Sequence, residues 1–273
     1  MQTLTDMKHL LASRGLRPKH RLGQNFLHDH NQMRRILAAA EISAGDLVLE
    51  VGPGTGTLSE ELLEAGAELV AVEIDRDLEP ILRERLKPFG EQVTLVVGDM
   101  LEKKRKLNPE VLDRLGGRPF KLVANLPYQI ASPLLINLVA DHPEMGLAVV
   151  MIQREVADRL AADPGGKQYG PLGIVVQAMC EVTVVSTLPP GCFWPPPKVS
   201  SAVVRLARRA EPLTDDPHGL LELLHRLFSR RRKQIGSILG RDAPLPAGAS
   251  HEQRPEQLSV ARLCELAAMQ RGG

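Results

Sequence analysis

Asn125-Leu126-Pro127-Tyr128 sits directly behind the apolar run 120–124, so an amide, a rigid turn and an aromatic ring close an expected buried strand. That set suits the holding of a planar base with an exocyclic amine. The amine nitrogen of adenine is a poor nucleophile, because its lone pair is delocalised into the ring. The Asn125 side-chain oxygen and a backbone carbonyl beside Pro127 could each accept one of its N–H groups. Such bonds draw the lone pair out of conjugation as a new bond forms, stabilising the transition state more than the ground state. Tyr128 offers a stacking face, worth roughly 1–3 kcal/mol for a well-placed aromatic. The plainer reading is a strand-end turn, since proline drives its preceding residue to extended geometry.

A second group narrows the chemistry. Leu47-Val48-Leu49-Glu50-Val51 reads as a buried strand, followed by Gly52-Pro53-Gly54-Thr55-Gly56 and a helical pattern over 58–65. Glycines let the backbone approach a ligand closely, and the helix start behind them favours an anion. The spacing is Gly-x-Gly-x-Gly, which differs from the Gly-x-Gly-x-x-Gly of a dinucleotide pyrophosphate site. The next apolar run, 69–72, ends in Glu73-Ile74-Asp75, a carboxylate where a ribose diol is held. A third, 93–97, ends in Gly98-Asp99-Met100. With Asn125 on a fourth strand, these residues line one sheet edge, the place where ligands bind in doubly wound folds.

The elements that must position them follow from periodicity and punctuation. Helices are expected over 6–13 and 31–41, then strands alternate with helices as far as Ile152, the pattern of a parallel sheet covered on both faces. Strands over 181–187 and 202–206 flank the proline-rich stretch 189–197 and suggest an antiparallel edge. After the turn-rich linker 211–217, helices are expected over 219–229, 233–239 and 260–269. The 273 residues suit one ordinary domain and a smaller one. We place the division at 209/210: a catalytic α/β unit over 1–209 and a small all-helical unit over 210–273.

Composition excludes several classes. A formal charge of +1 gives no global field for nucleic acid, so such binding needs local patches. Cys180, Cys192 and Cys264 form no Cys-x-x-Cys pair, which argues against a disulfide framework or structural zinc. No apolar run reaches the ~18 residues of a membrane span, and the N-terminus has no secretory core. The expectation is a cytoplasmic protein without metal, a monomer by default. His28-Asp29-His30 has no accompanying cluster at ligand spacing and reads as a helix cap. Aromatic residues make up only 3% of the chain, so Tyr128, Phe193 and Trp194 stand out within motif-like segments.

Taken together, the chain resembles the ribosomal RNA small-subunit adenine dimethyltransferases, the KsgA/RsmA and Dim1 family. Gln24-Asn25-Phe26-Leu27 is similar to the family's N-terminal cofactor motif, and Glu50-Val51-Gly52-Pro53-Gly54-Thr55-Gly56 to its S-adenosylmethionine loop. Asn125-Leu126-Pro127-Tyr128 resembles its catalytic tetrapeptide, and Phe193-Trp194-Pro195-Pro196-Pro197-Lys198-Val199 its Phe-x-Pro-x-Pro-Lys-Val segment. Residues 227–233 and 254–259 resemble its C-terminal helical domain. The resemblance implies a doubly wound, Rossmann-like methyltransferase domain. It implies a cofactor, S-adenosylmethionine, touched by Gln24, Asn25, Leu27, Gly52, Gly54, Gly56, Glu73 (ribose), Asp99 (adenine amine) and Asn125. It implies Asn125, Leu126, Pro127 and Tyr128 as catalytic residues, with Phe193 packing on the target base. The implied substrate is two adjacent adenosines in the 3′-terminal hairpin of small-subunit rRNA.

Candidate phosphate contacts are Arg17-Lys19-Arg21, Lys103-Lys104-Arg105-Lys106, Arg208-Arg209 and Arg230-Arg231-Arg232-Lys233. Each also reads as a solvated face. The last is preferred, as a dense basic run on a helical unit, together with Arg21. Tyr169-Gly170 lies in a Gly/Lys-rich loop with room to fold over substrate or to flex. Gly236 falls inside an expected helix without a functional reason. Two rivals stay open: a resistance-type methyltransferase of large-subunit rRNA, and a subunit-assembly factor acting mainly by RNA binding.

Overall fold

The computed structural model describes residues 2–102 and 106–271. The N-terminal part contains α1 (Leu4–Ala12), β1 (Phe26–Leu27), α2 (His30–Ala40), β2 (Leu47–Val51), α3 (Thr57–Glu64), β3 (Glu68–Glu73), α4 (Glu79–Leu86) and β4 (Val93–Val97). The hairpin β5 (Leu101–Glu102) and β6 (Lys106–Leu107) leads to α5 (Pro109–Leu115), β7 (Phe120–Asn125), α6 (Ala131–Asp141) and β8 (Met145–Gln153). Next come α7 (Arg154–Leu160), α8 (Pro171–Met179), β9 (Cys180–Leu188), β10 (Phe193–Trp194) and β11 (Ser201–Arg208). Helices α9 (Pro217–Phe228), α10 (Ile235–Leu239) and α11 (Val260–Arg271) close the chain. Of the basic tract 103–106, Lys103, Lys104 and Arg105 lie outside the described residues, and Lys106 opens β6.

Seven strands form one sheet in the order β4-β3-β2-β7-β8-β11-β9. The first five run parallel, while β11 is antiparallel to both β8 and β9. The central strands are buried on both faces, and their sequences show why. In β8, Ala148, Val150 and Ile152 enter one apolar cluster, and Leu147, Val149 and Met151 enter the other. Strand β7 does the same, with Leu122 and Ala124 on one side and Val123 on the other. Covering both faces of a parallel sheet turns alternation into a continuous apolar run. Helices α5 and α6 cover one face, and α1, α2, α3 and α4 the other.

Local chemistry fixes the helix starts. Thr3 and Asp6 make a reciprocal capping box on α1. Asp29 accepts the N–H groups of Asn31 and Gln32, so the His28-Asp29-His30 segment is a cap.

A third core joins α9, α10 and α11 to α8. Leu220, Leu224, Leu227, Leu263 and Leu266 pack there with Ile174, Val175 and Ala178. Tyr169 belongs to this core rather than to a mobile loop. It is 1% exposed, its hydroxyl donates to the Leu258 carbonyl at 2.9 Å, and its ring meets Phe228 edge-on. A second difference concerns the basic run. Helix α10 starts at Ile235 rather than at residue 233, so Lys233 joins Arg230-Arg231-Arg232 in the turn after α9. Gly236 now has a reason: a Cβ there would lie 2.8 Å from the His251 Cβ, so α10 packs directly on the segment around His251.

Candidate active site

The parallel sheet changes direction of winding between β2 and β7, since β3 lies beyond the one and β8 beyond the other. A pocket opens there. Its wall carries Arg21, Gln24, Asn25, Leu27, Gly52, Gly54, Glu73, Asp99, Asn125, Leu126, Pro127 and Tyr128. The fold therefore brings residues spread over more than a hundred positions to one sheet edge.

Backbone conformation explains the glycine loop. Gly52 and Gly54 have φ of +76° and +63°, a region that side-chain-bearing residues rarely adopt. A Cβ on Gly52 would sit 3.4 Å from the Pro127 ring, and one on Gly54 2.9 Å from the ring of Phe26. The loop thus fits beneath the N-terminal segment on one side and the Asn-Leu-Pro-Tyr turn on the other. Gly56 is off the pocket wall and serves as the N-cap of α3 at φ +83°.

The acidic residues differ in setting. Glu73 is buried, and its two carboxylate oxygens accept the N–H groups of Gly54 at 3.1 Å and Asp75 at 2.8 Å. Burial pushes its pKa up to about 6, against the pull of those backbone bonds. Glu50 is deeper, 1% exposed, and accepts the Ser59 hydroxyl at 2.6 Å. Burial, with the nearby Glu73 charge adding to it, raises Glu50 to about 8. Asp99 is exposed, and its carboxylate accepts the N–H of Leu101.

At the opposite wall, the Asn125 Nδ2 donates to the Asn25 carbonyl at 2.9 Å. A carbonyl only accepts, so this contact fixes which end of the amide carries the NH₂ and leaves Oδ1 as its acceptor. The Pro127 carbonyl already accepts the N–H of Ile130 at 3.1 Å. Of the two carbonyls beside Pro127, that of Leu126 is therefore the candidate second acceptor. Tyr128 is half-buried, its hydroxyl 2.7 Å from that of Ser201, which is fully buried at the start of β11. Burial raises its phenol pKa, so it is neutral at ordinary pH.

Several expected contacts fall elsewhere. Phe193 is off this wall: it is 2% exposed, paired with Leu27 across the β1–β10 ladder, and packed in the core cluster beneath. Its burial among those apolar side chains leaves little of the ring open to a base. Trp194 packs near Phe26, with ring centroids 6.3 Å apart, and under the Lys8 ammonium at 5.8 Å. The amide of Gln24 is engaged at both ends, accepting from the Lys19 N–H and donating to Asp75, each at 2.7 Å.

The basic candidates also divide. Lys19 pairs with Asp75 and Asp77. Arg208 donates to the carbonyls of Leu138, Val139, His142 and Met145, closing the C-terminus of α6, and Arg209 holds the Gln177 carbonyl. Both are fold-closing cations rather than a phosphate patch. Arg231 donates to the carbonyls of Gly166 and Lys167. Arg230, Arg232 and Lys233 are exposed and off the pocket wall, and the last two flank a polar groove with Ser237 and Arg254.

The structure adds wall residues that the sequence does not mark. Met7 from α1 and Met33 and Ile36 from α2 line the pocket, as ordinary apolar helix residues. Glu50 does carry a signal, a lone charge inside an apolar strand. The donor set fits S-adenosylmethionine. Glu73 and Asp99 face the pocket, and among the described residues Arg21 is the one Lys or Arg on its wall, a balance suited to a cationic sulfonium and poorly suited to a pyrophosphate. Among the described residues no group of three or more His, Cys, Asp or Glu converges, and no helix is long and apolar enough to cross a membrane.

Comparison with known proteins agrees with this geometry. The family described as ribosomal RNA adenine dimethylase matches residues 15–257. Ribosomal RNA small subunit methyltransferase A of Lachnoclostridium phytofermentans is 41% identical, over 80% of this chain and 76% of its own length. The protein of the same name in Cutibacterium acnes is 39% identical, over 92% of this chain and 88% of its own. Among solved structures, a dimethyladenosine transferase from Plasmodium falciparum superposes with a TM-score of 0.73 at 27% identity, covering 88% of this chain and 95% of that one. The 23S rRNA methyltransferase ErmE gives 0.64 at 28% identity, covering 89% and 100%. A match over most of the length, on a doubly wound sheet whose strand ends carry the matching motifs, leads to one conclusion: the chain belongs to the ribosomal RNA adenine dimethylase family.

Proposed function

We propose that this enzyme transfers methyl groups from S-adenosylmethionine to N6 of two adjacent adenosines in the 3′-terminal hairpin of small-subunit rRNA, giving N6,N6-dimethyladenosines during subunit biogenesis. The observation that carries the chemistry is the Asn125 amide, held by the Asn25 carbonyl so that its oxygen is left to accept. The names of relatives near 40% identity, small-subunit methyltransferases, favour that substrate over large-subunit rRNA.

The sulfonium cofactor supplies a methyl group that is already electrophilic, so the protein's contribution is positioning and polarisation. Asn125 Oδ1 and the Leu126 carbonyl accept the two N–H groups of the target amine and raise its nucleophilicity as the bond forms. Pro127 holds that turn rigid, and Tyr128 stacks on the base, which has left its helix to reach the site. No general base is required, because the alkylated amine is strongly acidic and loses its proton readily. Glu73 holds the ribose of the cofactor, Asp99 its adenine amine, and Gly52 and Gly54 give its amino-acid end room. Gln24, Asn25 and Leu27 close the pocket from the N-terminal side. Residues 1–209 act as the catalytic unit and 210–273 as the RNA-binding unit, with Arg230, Arg232 and Lys233 on phosphates. Arg21, exposed at the pocket rim, is the RNA contact nearest the chemistry. The reading includes a cytoplasmic monomer that needs no metal.

The test incubates the protein with labelled S-adenosylmethionine and unmethylated small subunits, large subunits or naked RNA, then maps modified adenosines by mass spectrometry. Two dimethyladenosines in the small-subunit 3′ hairpin are expected. Label confined to large-subunit RNA would replace this reading with the resistance type, and tight subunit binding without label would replace it with an assembly factor.

A further inference from the structure

Asp75 lies two residues beyond Glu73, is 4% exposed, and has no part in the chemistry described so far. Its carboxylate is a fastening point for the N-terminal segment. It receives the Lys19 ammonium and the Asp77 N–H on one oxygen and the Gln24 side-chain amide on the other. Gln24 in turn accepts the Lys19 backbone N–H, so residues 19–24 form a closed loop pinned to the end of β3. Gly23 bends this loop at φ +68°, and its carbonyl accepts the Asn25 side chain at 3.1 Å. The next carbonyl, that of Asn25, receives the Asn125 amide. Phe26 then seats against Gly54.

We propose that Asp75 is a positioning residue for methyl transfer: by pinning Lys19 and Gln24 it sets the strap whose Asn25 carbonyl orients the Asn125 amide. The inference rests on the reading of Asn125 given above. Its physical basis is short reach. One peptide unit separates the pinned Gln24 from the carbonyl that holds Asn125, so a slack loop shifts that carbonyl directly. A misplacement of ~1 Å at a reacting group can cost about 100-fold in rate. The contact between Asp75 and Glu73 runs through the Asp75 backbone N–H and survives a change of side chain, so the placement of Glu73 is expected to be spared.

The test compares Asp75→Ala, Gln24→Ala, the double variant and Asp75→Asn, each as the full chain with small subunits. It reads kcat, KM, cofactor Kd by calorimetry and Tm. The expected result for Asp75→Ala is a kcat lowered about 10-fold or more at saturating cofactor, a larger change than that in cofactor Kd. Gln24→Ala should move kcat the same way, and the double variant should be no worse than Asp75→Ala, since both break one fastening. Asp75→Asn, which keeps an acceptor, should recover part of the loss. A lowered Tm with intact kcat, a change in cofactor Kd alone, or additive losses would each overturn the proposal. Should Asp75→Ala fail to fold, Gln24→Ala carries the test alone. Asn125→Ala is assayed in parallel: full turnover there refutes the reading of Asn125, whereas an inactive Asn125→Ala beside an unaffected Asp75→Ala refutes this inference alone.

Discussion

The strand-end pocket and the helical C-terminal unit use charge in opposite ways. At the pocket, Glu73 and Glu50 are buried and committed, the one to two backbone N–H groups and the other to Ser59, and Asp75 just behind Glu73 is committed to the N-terminal strap. Their positions are set by strands of one sheet, so distances are held tightly. On the helical unit, Arg230, Arg232 and Lys233 ride on an exposed turn, while the core beneath is built from leucines. A reacting amine needs acceptors placed to a fraction of an ångström, but a phosphate backbone needs only positive charge near its surface. Arg231 lies on the boundary between the two uses, a cation in the basic run that is spent on the carbonyls of Gly166 and Lys167.

The largest way to break this comparison is Asn125→Ala. Loss of one such acceptor should lower kcat about 100- to 1000-fold in a methyl-transfer assay, with RNA binding by filter retention unchanged. Turnover at the wild-type level would remove Asn125 from the mechanism. The next effect separates cations within the basic run. Neutralising Arg230, Arg232 and Lys233 together should reduce the slope of log K against log salt by roughly three, about one per phosphate contact. Arg231→Ala should leave that slope in place and lower Tm instead; the opposite pattern would exchange their roles.

Smaller effects test the two cores. Tyr169→Phe leaves the buried Leu258 carbonyl without its donor, so unfolding free energy should fall by about 1–3 kcal/mol in denaturant titrations. An unchanged midpoint would mean that the hydroxyl contributes nothing to joining α8 and the C-terminal helices. A last effect concerns pH. Glu50, raised to about 8 when folded, binds a proton that the unfolded chain releases near its ordinary value of 4.5. The folded state therefore holds more protons between those two values, and stability falls as pH rises through that window, levelling off above about 8. Glu50→Gln should flatten this slope in melts across pH 5 to 8, and an unaltered slope would place the titration elsewhere.

Much of this was legible from residue order. The four strand ends, the Gly52–Gly54 bend and the Asn125 turn follow from apolar runs stopped by glycine, proline or acid, and the structure sets the six strands with expected bounds within a residue or two of them, while β1, β5, β6 and β10 carry no such signal. The doubly wound sheet with its antiparallel edge follows from the same alternation. Helix α10 is expected from residue 233, since lysine and glutamine have good helix propensity, yet it starts at Ile235 and packs on the segment around His251.

What the sequence determined by itself is the set of local backbone states and the chemical types at the strand ends, because these depend on near neighbours and on side-chain periodicity. Only the tertiary structure decided how distant polar groups pair. The fold buried Phe193 opposite Leu27, made Tyr169 a core residue, spent Arg208 on the end of α6 and gave Gly236 its purpose. It also joined Asn125 to Asn25, a hundred residues apart, and Gln24 to Asp75. Each of these choices follows from burial, which forces a polar group to find a partner wherever the packing brings one within reach.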